Sequence, residues 1–412
     1  MSDPSRFDPP PAALDRRRFL AGSLAACGVG LAAAAPLGQP LWAAPRLARP
    51  EGKNLVVVRF GAGVRFRDTF GAGDRTLTPH LRSQARRGTL FSHVRNDGEL
   101  RHDCATWTLM NGTYGPRQFA RGAKLAEGLS YSPTWFEMVR KTFARPVEKL
   151  LAVGVEPCSL SEEYGARYQA SCFASQKDAR DGASASGDAS LGVCAERFML
   201  NRRIGQIARD LDDDLKPRTR SQRRASYLGA IDEHFSADPL AETSLTEIAR
   251  EVLADRLVAP QPWITAAEGD DVLLDLALRA MAKHRPECTM IAFQSTDLAH
   301  FGAWRTYTAQ LRRLDLLLAR LQDFLASTPF YSDRTTLVVT TEIGRGDPNF
   351  AQHELEGDSE RRLFTLVLGP DVEAGREIAE PRDFAGLAPG IARFLGVPLP
   401  GATATAWPEF PA

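Results

Sequence analysis

The sequence predicts an α/β fold: a mostly parallel central sheet flanked by helices, with a helical insertion. Three observations point there. Short β-branched apolar runs alternate with stretches of helical periodicity, the pattern of strand–helix crossovers. The runs are apolar throughout, as strands covered on both faces are. The composition, 43% hydrophobic and 25% charged over 412 residues, is that of an ordinary globular chain. This length accommodates one large domain with insertions, or two smaller ones.

The elements follow in order. Asn54–Phe60 reads as a buried strand running into a Gly61-Ala62-Gly63 loop. Thr78-Pro79 starts a helix, Thr as N-cap and Pro in the first turn, that runs to Arg87 and stops at Gly88. Leu90–Val94 is the next strand, and Cys104–Met110 a helix ending near Gly112. Ser132-Pro133 opens a helix through Phe143, and Leu150–Val153 is a strand. Residues 155–285 change character. A Ser-, Ala-, Gly- and Asp-rich stretch near 174–192 reads as a flexible loop. Helical patterns follow over Val193–Leu211, Leu245–Leu257 and Val272–Lys283, so this region is expected to form a cap outside the sheet. Strands then resume at Thr289–Phe293, Thr335–Thr340 and Phe364–Leu368. Between them, Leu311, Leu314, Leu317, Leu318 and Leu321 mark a helix, and Asp383–Leu395 is the last one. The α/β core therefore comprises residues 45–154 and 286–412.

Residues 1–44 read as an export signal. Asp15-Arg16-Arg17-Arg18-Phe19-Leu20 precedes a weakly apolar Ala/Gly/Leu stretch, and Trp42-Ala43-Ala44 supplies small residues for cleavage. The arginines followed by Phe-Leu resemble a twin-arginine (Tat) motif, which implies the Tat translocase as a partner and a periplasmic or otherwise exported destination. Leu24-Ala25-Ala26-Cys27 also resembles a lipobox, so a membrane lipoprotein anchored through Cys27 is an alternative. Basic and acidic residues number 51 each, and loss of the signal leaves the chain within one charge of neutral. Nucleic acid is thereby excluded as an expected partner. Of the six cysteines, Cys158, Cys172 and Cys194 cluster in one polar region where a disulfide is plausible after export. None has the Cys-x-x-Cys spacing of a zinc ribbon or a thioredoxin-like site.

Ligands of open α/β sheets bind beyond the carboxyl ends of the strands, so the residues just after each strand carry the chemistry. Asp297 and His300, three apart, follow Thr289–Phe293; Glu342 and Arg345 follow Thr335–Thr340, with His353 a few residues on. Two imidazoles and a carboxylate suit zinc or a similar ion with an open position. In the alternative, Asp297 is a helix cap and His300 an ordinary histidine. Gly61-x-Gly63 fails the dinucleotide fingerprint because Phe66 holds the third glycine position. No G-x-S-x-G or P-loop pattern occurs.

The order of motifs resembles the alkaline phosphatase/sulfatase superfamily. Asn54–Arg65 is similar to its first strand and turn. Thr78-Pro79-His80-Leu81 with Gly88-Thr89-Leu90-Phe91 resembles "T-P-N-L…G-x-x-F". Leu109–Gly115 resembles the end of the nucleophile helix, "L-x-T-G-x-Y". Asp297–Gly302 resembles the "D-x-x-x-H-x-x-G" ligand loop with one residue fewer, and Thr340–Gly344 resembles "T-S-D-H-G". The resemblance covers about residues 54–115 and 288–400. It implies an alkaline-phosphatase-like fold, hydrolysis of a phosphate, phosphonate or sulfate ester, and metal ions that polarise the ester oxygen. Asp297, His300 and His353 match one metal site. The other is eroded: Ala62 stands at an aspartate position and Ile343 at a histidine position, leaving Glu342. One divalent metal, zinc, is therefore expected. The nucleophile position falls at His102, Cys104 or Thr106, depending on register, and the sulfatase C-x-P-x-R signature is absent. Arg65 and Arg345 are candidates for binding the anion. Two functions follow: an exported ester hydrolase, or a relative that binds a small anionic ester or glycan ligand without turnover.

Overall fold

The computed structural model describes residues 53–71, 76–114, 134–145, 149–154, 191–194, 248, 251–252, 255, 269–353, 355 and 357–411. The export signal, Cys27, Cys158, Cys172 and most of the loop near 174–192 lie outside these residues.

β1 (Asn54–Arg59) is central because all of its residues are buried. It is paired in parallel with β5 (Cys288–Ala292) on one side and β6 (Thr335–Thr340) on the other. The full order of the nine-stranded sheet is β4 (Leu191–Cys194), β3 (Leu150–Gly154), β5, β1, β6, β7 (Arg362–Leu368), β2 (Thr89–Arg95) and β8 (Arg376–Ile378), with β9 (Arg382–Asp383) beside β2. β3 and β4 continue the parallel run. β7 is antiparallel to both neighbours, β6 and β2; β8 closes that edge parallel to β2. The sheet is mostly parallel, as the alternating pattern predicts.

Strand periodicity builds two cores, because successive side chains point to opposite faces. Val56 and Val58 of β1 join Ile291, Leu337 and Val339 on one face. Leu55 and Val57 join Met290, Val338 and Val367 on the other. Helices α1 (Pro79–Gln84), α2 (His102–Asn111), α3 (Trp135–Phe143), α4 (Gly269–His284), α5 (Trp304–Ser327) and α6 (Leu387–Leu395) complete the layers. α4 and α5 cover the first face with Leu273, Ala277, Leu314 and Leu321. α2, α3 and α6 cover the second with Leu109, Trp135, Phe136 and Ile391. Each such fully buried large side chain contributes about 1.5–3 kcal/mol relative to exposure.

Local outcomes differ from the sequence expectation in three places. Thr78 precedes α1, but its side chain makes no cap bond. Asp315 of α5 accepts the His80 and Leu81 N–H groups instead, each at 2.8 Å, so the cap comes from a neighbouring helix. As expected, the helical stretch runs to Arg87 and stops at Gly88, whose backbone is extended. A Cβ there would lie 2.1 Å from the Val367 carbonyl, so glycine is required by the close passage of β7. Val193 and Cys194, expected to open a helix, form the end of β4; this piece of the 155–285 segment belongs to the sheet. Within the Leu245–Leu257 pattern, the described positions 248, 251–252 and 255 are helical. Asp383 caps a 3-10 turn, Phe384–Gly386, ahead of the continuous last helix.

Candidate metal centre

The carboxyl ends of β1, β5 and β6 lie side by side, so the three segments that follow them meet. After β1, Gly61 and Gly63 adopt left-handed φ of +79° and +75°. That tight turn leaves the buried Ala62 and Gly63 carbonyls aimed at donors from neighbouring segments. Thr296 Oγ1 donates to Ala62 at 3.0 Å, and Arg345 donates to Ala62 at 2.9 Å and Gly63 at 2.8 Å. Ala62 thus contributes its backbone to Arg345.

After β5, Ser295–Phe301 is a 3-10 segment, ended by Gly302 with φ +77°. With three residues per turn, side chains at i and i+3 eclipse. Asp297 and His300 therefore share one side, and His300 Nε2 lies 3.1 Å from Asp297 Oδ1. This geometry makes the three-residue spacing equivalent to a four-residue spacing on an α-helix.

Two further imidazoles reach the same oxygen. His353 Nε2 and His102 Nε2 each lie 3.3 Å from Asp297 Oδ1. His300 Nε2 and His353 Nε2 are 2.7 Å apart. Donor atoms of His102, Asp297 and His353 fall within 4.8 Å of one another, a set that could hold a metal ion. Two ring nitrogens at 2.7 Å repel unless a proton is shared between them or a cation binds both. Burial pushes the Asp297 carboxyl up, but bonds from His102, His300 and His353 outweigh it and hold the group well below the usual carboxylate range. Burial, and then the charges of His102 and Arg345, push His353 down, against the pull of Asp297. Its neutral imidazole is the form a metal needs. The cluster opens on one side: His353 is 2% exposed, while His300 is 34% exposed and Asp297 33%.

His102 opens α2 and Thr106 lies four residues on, the same helix face. Both meet Glu342, which is fully buried. Glu342 Oε1 is 2.7 Å from His102 Nδ1, and Glu342 Oε2 accepts from Thr106 Oγ1 and from Arg59 Nη1, each at 2.9 Å. With the carboxylate as acceptor in all three bonds, a proton sits on Nδ1, and Nε2 is the ring atom turned to Asp297 Oδ1. This is the carboxylate–histidine arrangement that orients metal ligands.

The remaining candidates are placed as follows. Cys104 is a buried thiol, 3% exposed. Thr106 Oγ1 also accepts from Arg59 Nη1 at 2.9 Å, so its hydroxyl is bonded in both directions. Arg65 is buried against Asp68 through two bonds of 2.6 and 3.1 Å and lies 5.0 Å from the Trp304 ring. Arg345 bonds Asp297 Oδ1 at 3.1 Å and the two carbonyls of the glycine turn, with no side-chain exposure. Burial lowers its pKa despite the attraction of Asp297. Ile343 is fully buried in the apolar core. The residue that sequence reasoning misses is Arg59, whose signal is an arginine at the end of an otherwise apolar buried strand.

No family model and no curated protein matches the chain. Solved structures do. A putative sulfatase from Bacteroides thetaiotaomicron superposes with a TM-score of 0.54 at 11% identity, over 87% of this chain and 74% of that one. An alkaline phosphatase superfamily protein from Vibrio parahaemolyticus gives 0.52 at 11% identity, over 87% and 70%. Ps i-CgsB, solved in complex with k-i-k-neocarrahexaose, gives 0.50 at 14% identity, over 87% and 76%. At these identities the likeness is one of architecture: the chain has an alkaline-phosphatase-like fold, a mostly parallel sheet flanked by helices.

Proposed function

We propose that this chain is an exported, metal-dependent hydrolase of a phosphate, phosphonate or sulfate ester, working with a single metal centre. The observation that carries the reading is the approach of three imidazole Nε2 atoms to one oxygen of Asp297, within 3.1–3.3 Å. Three nitrogens and a carboxylate suit zinc. His102, Asp297, His300 and His353 would hold it; when bound, it would supply Lewis-acid polarisation of an ester oxygen and a lowered pKa for water. The chain's own contribution is positional. Glu342 keeps the His102 proton on Nδ1, and the 3-10 segment aims Asp297 and His300 together. A second metal is disfavoured because two buried guanidinium groups already supply positive charge there: Arg59 against Glu342, and Arg345 against Asp297. Metal analysis of the purified protein, with turnover of an aryl phosphate and an aryl sulfate, tests this. One ion per chain and turnover of one ester class are expected; two ions, or none, overturn it.

A second reading, ligand binding without turnover, draws on Thr106. Its hydroxyl is committed to Glu342 and Arg59, so α2 lacks an obvious side-chain nucleophile at that position. The ligand would then be a small anionic ester or a glycan, in keeping with the oligosaccharide held by the structural neighbour Ps i-CgsB. One metal with no turnover of either ester, but saturable binding of a sulfated glycan, selects this reading. Export through the Tat translocase is proposed from the arginine run alone. Replacing Arg16, Arg17 and Arg18 by lysine is expected to leave precursor in the cytoplasm; unchanged export would refute it.

A further inference from the structure

We infer that Asp270 is a positioning residue of the metal centre: its carboxylate sets the backbone that presents Asp297 and His300. The inference rests on reading that cluster as a metal site. Asp270 lies in the first turn of α4 and is 1% exposed. Its oxygens divide between two consecutive amides. Oδ1 accepts from the Gln294 N–H at 2.9 Å and Oδ2 from the Ser295 N–H at 2.8 Å.

These amides stand where β5 has ended and the 3-10 segment begins. Gln294, with φ −138° and ψ −12°, belongs to neither element. The first N–H groups of a helical segment have no partner within it and need an acceptor from outside. Asp270 supplies that acceptor two residues before Asp297. One residue before Asp297, Thr296 ties the segment to the glycine turn through the Ala62 carbonyl. The Asp297–His300 pair therefore projects from a segment held at its entry by two separate anchors.

The choice of an acid is informative. A neutral serine or asparagine suffices to cap an ordinary helix. Two carboxylate oxygens hold two adjacent amides at once, with charge-assisted bonds stronger than neutral ones. Burying the acid opposes its charge, so its retention in a dry place has a cost that the bonds must offset. Desolvation indeed pushes the Asp270 carboxyl up, against the pull of Ser295 and Gln294.

Asp315 provides a matched control. It is also a buried acid accepting two consecutive amides, but its bonds go to α1 and to none of the ligand-bearing segments. Asp270→Asn and Asp315→Asn are compared in the full chain. Zinc affinity is measured by chelator competition, the visible spectrum with cobalt substituted, and stability by thermal unfolding of the metal-free protein. Both variants are expected to lose stability. Only Asp270→Asn should weaken zinc binding, by about tenfold to a hundredfold, and alter the cobalt spectrum. Should Asp270→Asn fail to fold, Asp270→Glu, which keeps the charge but displaces it by one methylene, is read by the same criteria. Affinity and spectrum equal to the parent in a folded Asp270 variant, or equal loss in both variants, overturns the inference while leaving the metal site intact. A parent chain that takes up no zinc or cobalt overturns the metal-site reading itself, and this inference with it.

Discussion

Replacing Glu342 by glutamine tests the buried arrangement behind His102. The carboxylate meets His102 Nδ1 at 2.7 Å, Thr106 Oγ1 at 2.9 Å and Arg59 Nη1 at 2.9 Å, with no exposure to solvent. Glutamine keeps the shape but offers one acceptor oxygen and one NH2. In one orientation the NH2 faces the His102 Nδ1–H; in the other it faces Thr106 and Arg59. Either way donors oppose donors, and Arg59 loses a buried counter-ion. Removing one partner of a buried ion pair costs about 3–5 kcal/mol. Losing the acceptor that orients a ligating histidine costs about tenfold to a hundredfold in metal affinity. The assay is denaturant unfolding of the metal-free protein at pH 7, paired with chelator competition for zinc. A lower midpoint at unchanged slope, together with weakened zinc binding, is expected. A variant within about 0.5 kcal/mol of the parent, the range of ordinary surface substitutions, with unaltered zinc affinity would refute the reasoning.

Three further outcomes follow from the same geometry. His300→Ala should abolish metal binding while changing metal-free stability by less than about 0.5 kcal/mol, because the ring is one-third exposed; metal content and unfolding read the two effects separately. Gly61→Ala should destabilise by about 1–3 kcal/mol, since φ is +79° and a Cβ would lie 2.6 Å from Thr296 Oγ1; a midpoint equal to the parent in denaturant would contradict this. Glu409 is bonded by Arg382, which lowers its pKa below the ordinary value. A depressed folded pKa contributes stability that is present above the unfolded pKa and lost as pH falls through the folded one. Glu409→Gln should therefore flatten the decline in stability on acidification below about pH 4.5, seen in unfolding midpoints measured across that range.

Much of the sheet was legible because buried strands announce themselves. Asn54–Arg59 and Thr335–Thr340 are short runs rich in β-branched residues, β7 is an apolar run after its first arginine, and an apolar run covered on both faces has few other uses. α5 was legible from its leucine period. β4 was not: four residues, Leu-Gly-Val-Cys, carry too little pattern, and their strand identity comes from pairing with β3. Asp297, His300 and His353 were reachable from their positions after strands. The part played by His102 was not, because its partners Glu342 and Asp297 lie 240 and 195 residues away along the chain.

The sequence by itself determined the α/β class, the strands and helices with strong periodicity, and the types of donor available at the strand ends. These are local properties, set by side-chain period and residue chemistry. Tertiary structure alone decided which donors meet. It turned the Asp297–His300 spacing into a shared face through 3-10 geometry, and it set Glu342 behind His102 with Arg59 as counter-ion. It also tied Arg65 and Arg345, which carry the charge to bind an anion, to internal partners. The physical reason is that a hydrogen bond or an ion pair depends on distances of a few ångströms between atoms far apart in the chain. Those distances exist only once the sheet has brought β1, β5 and β6 together.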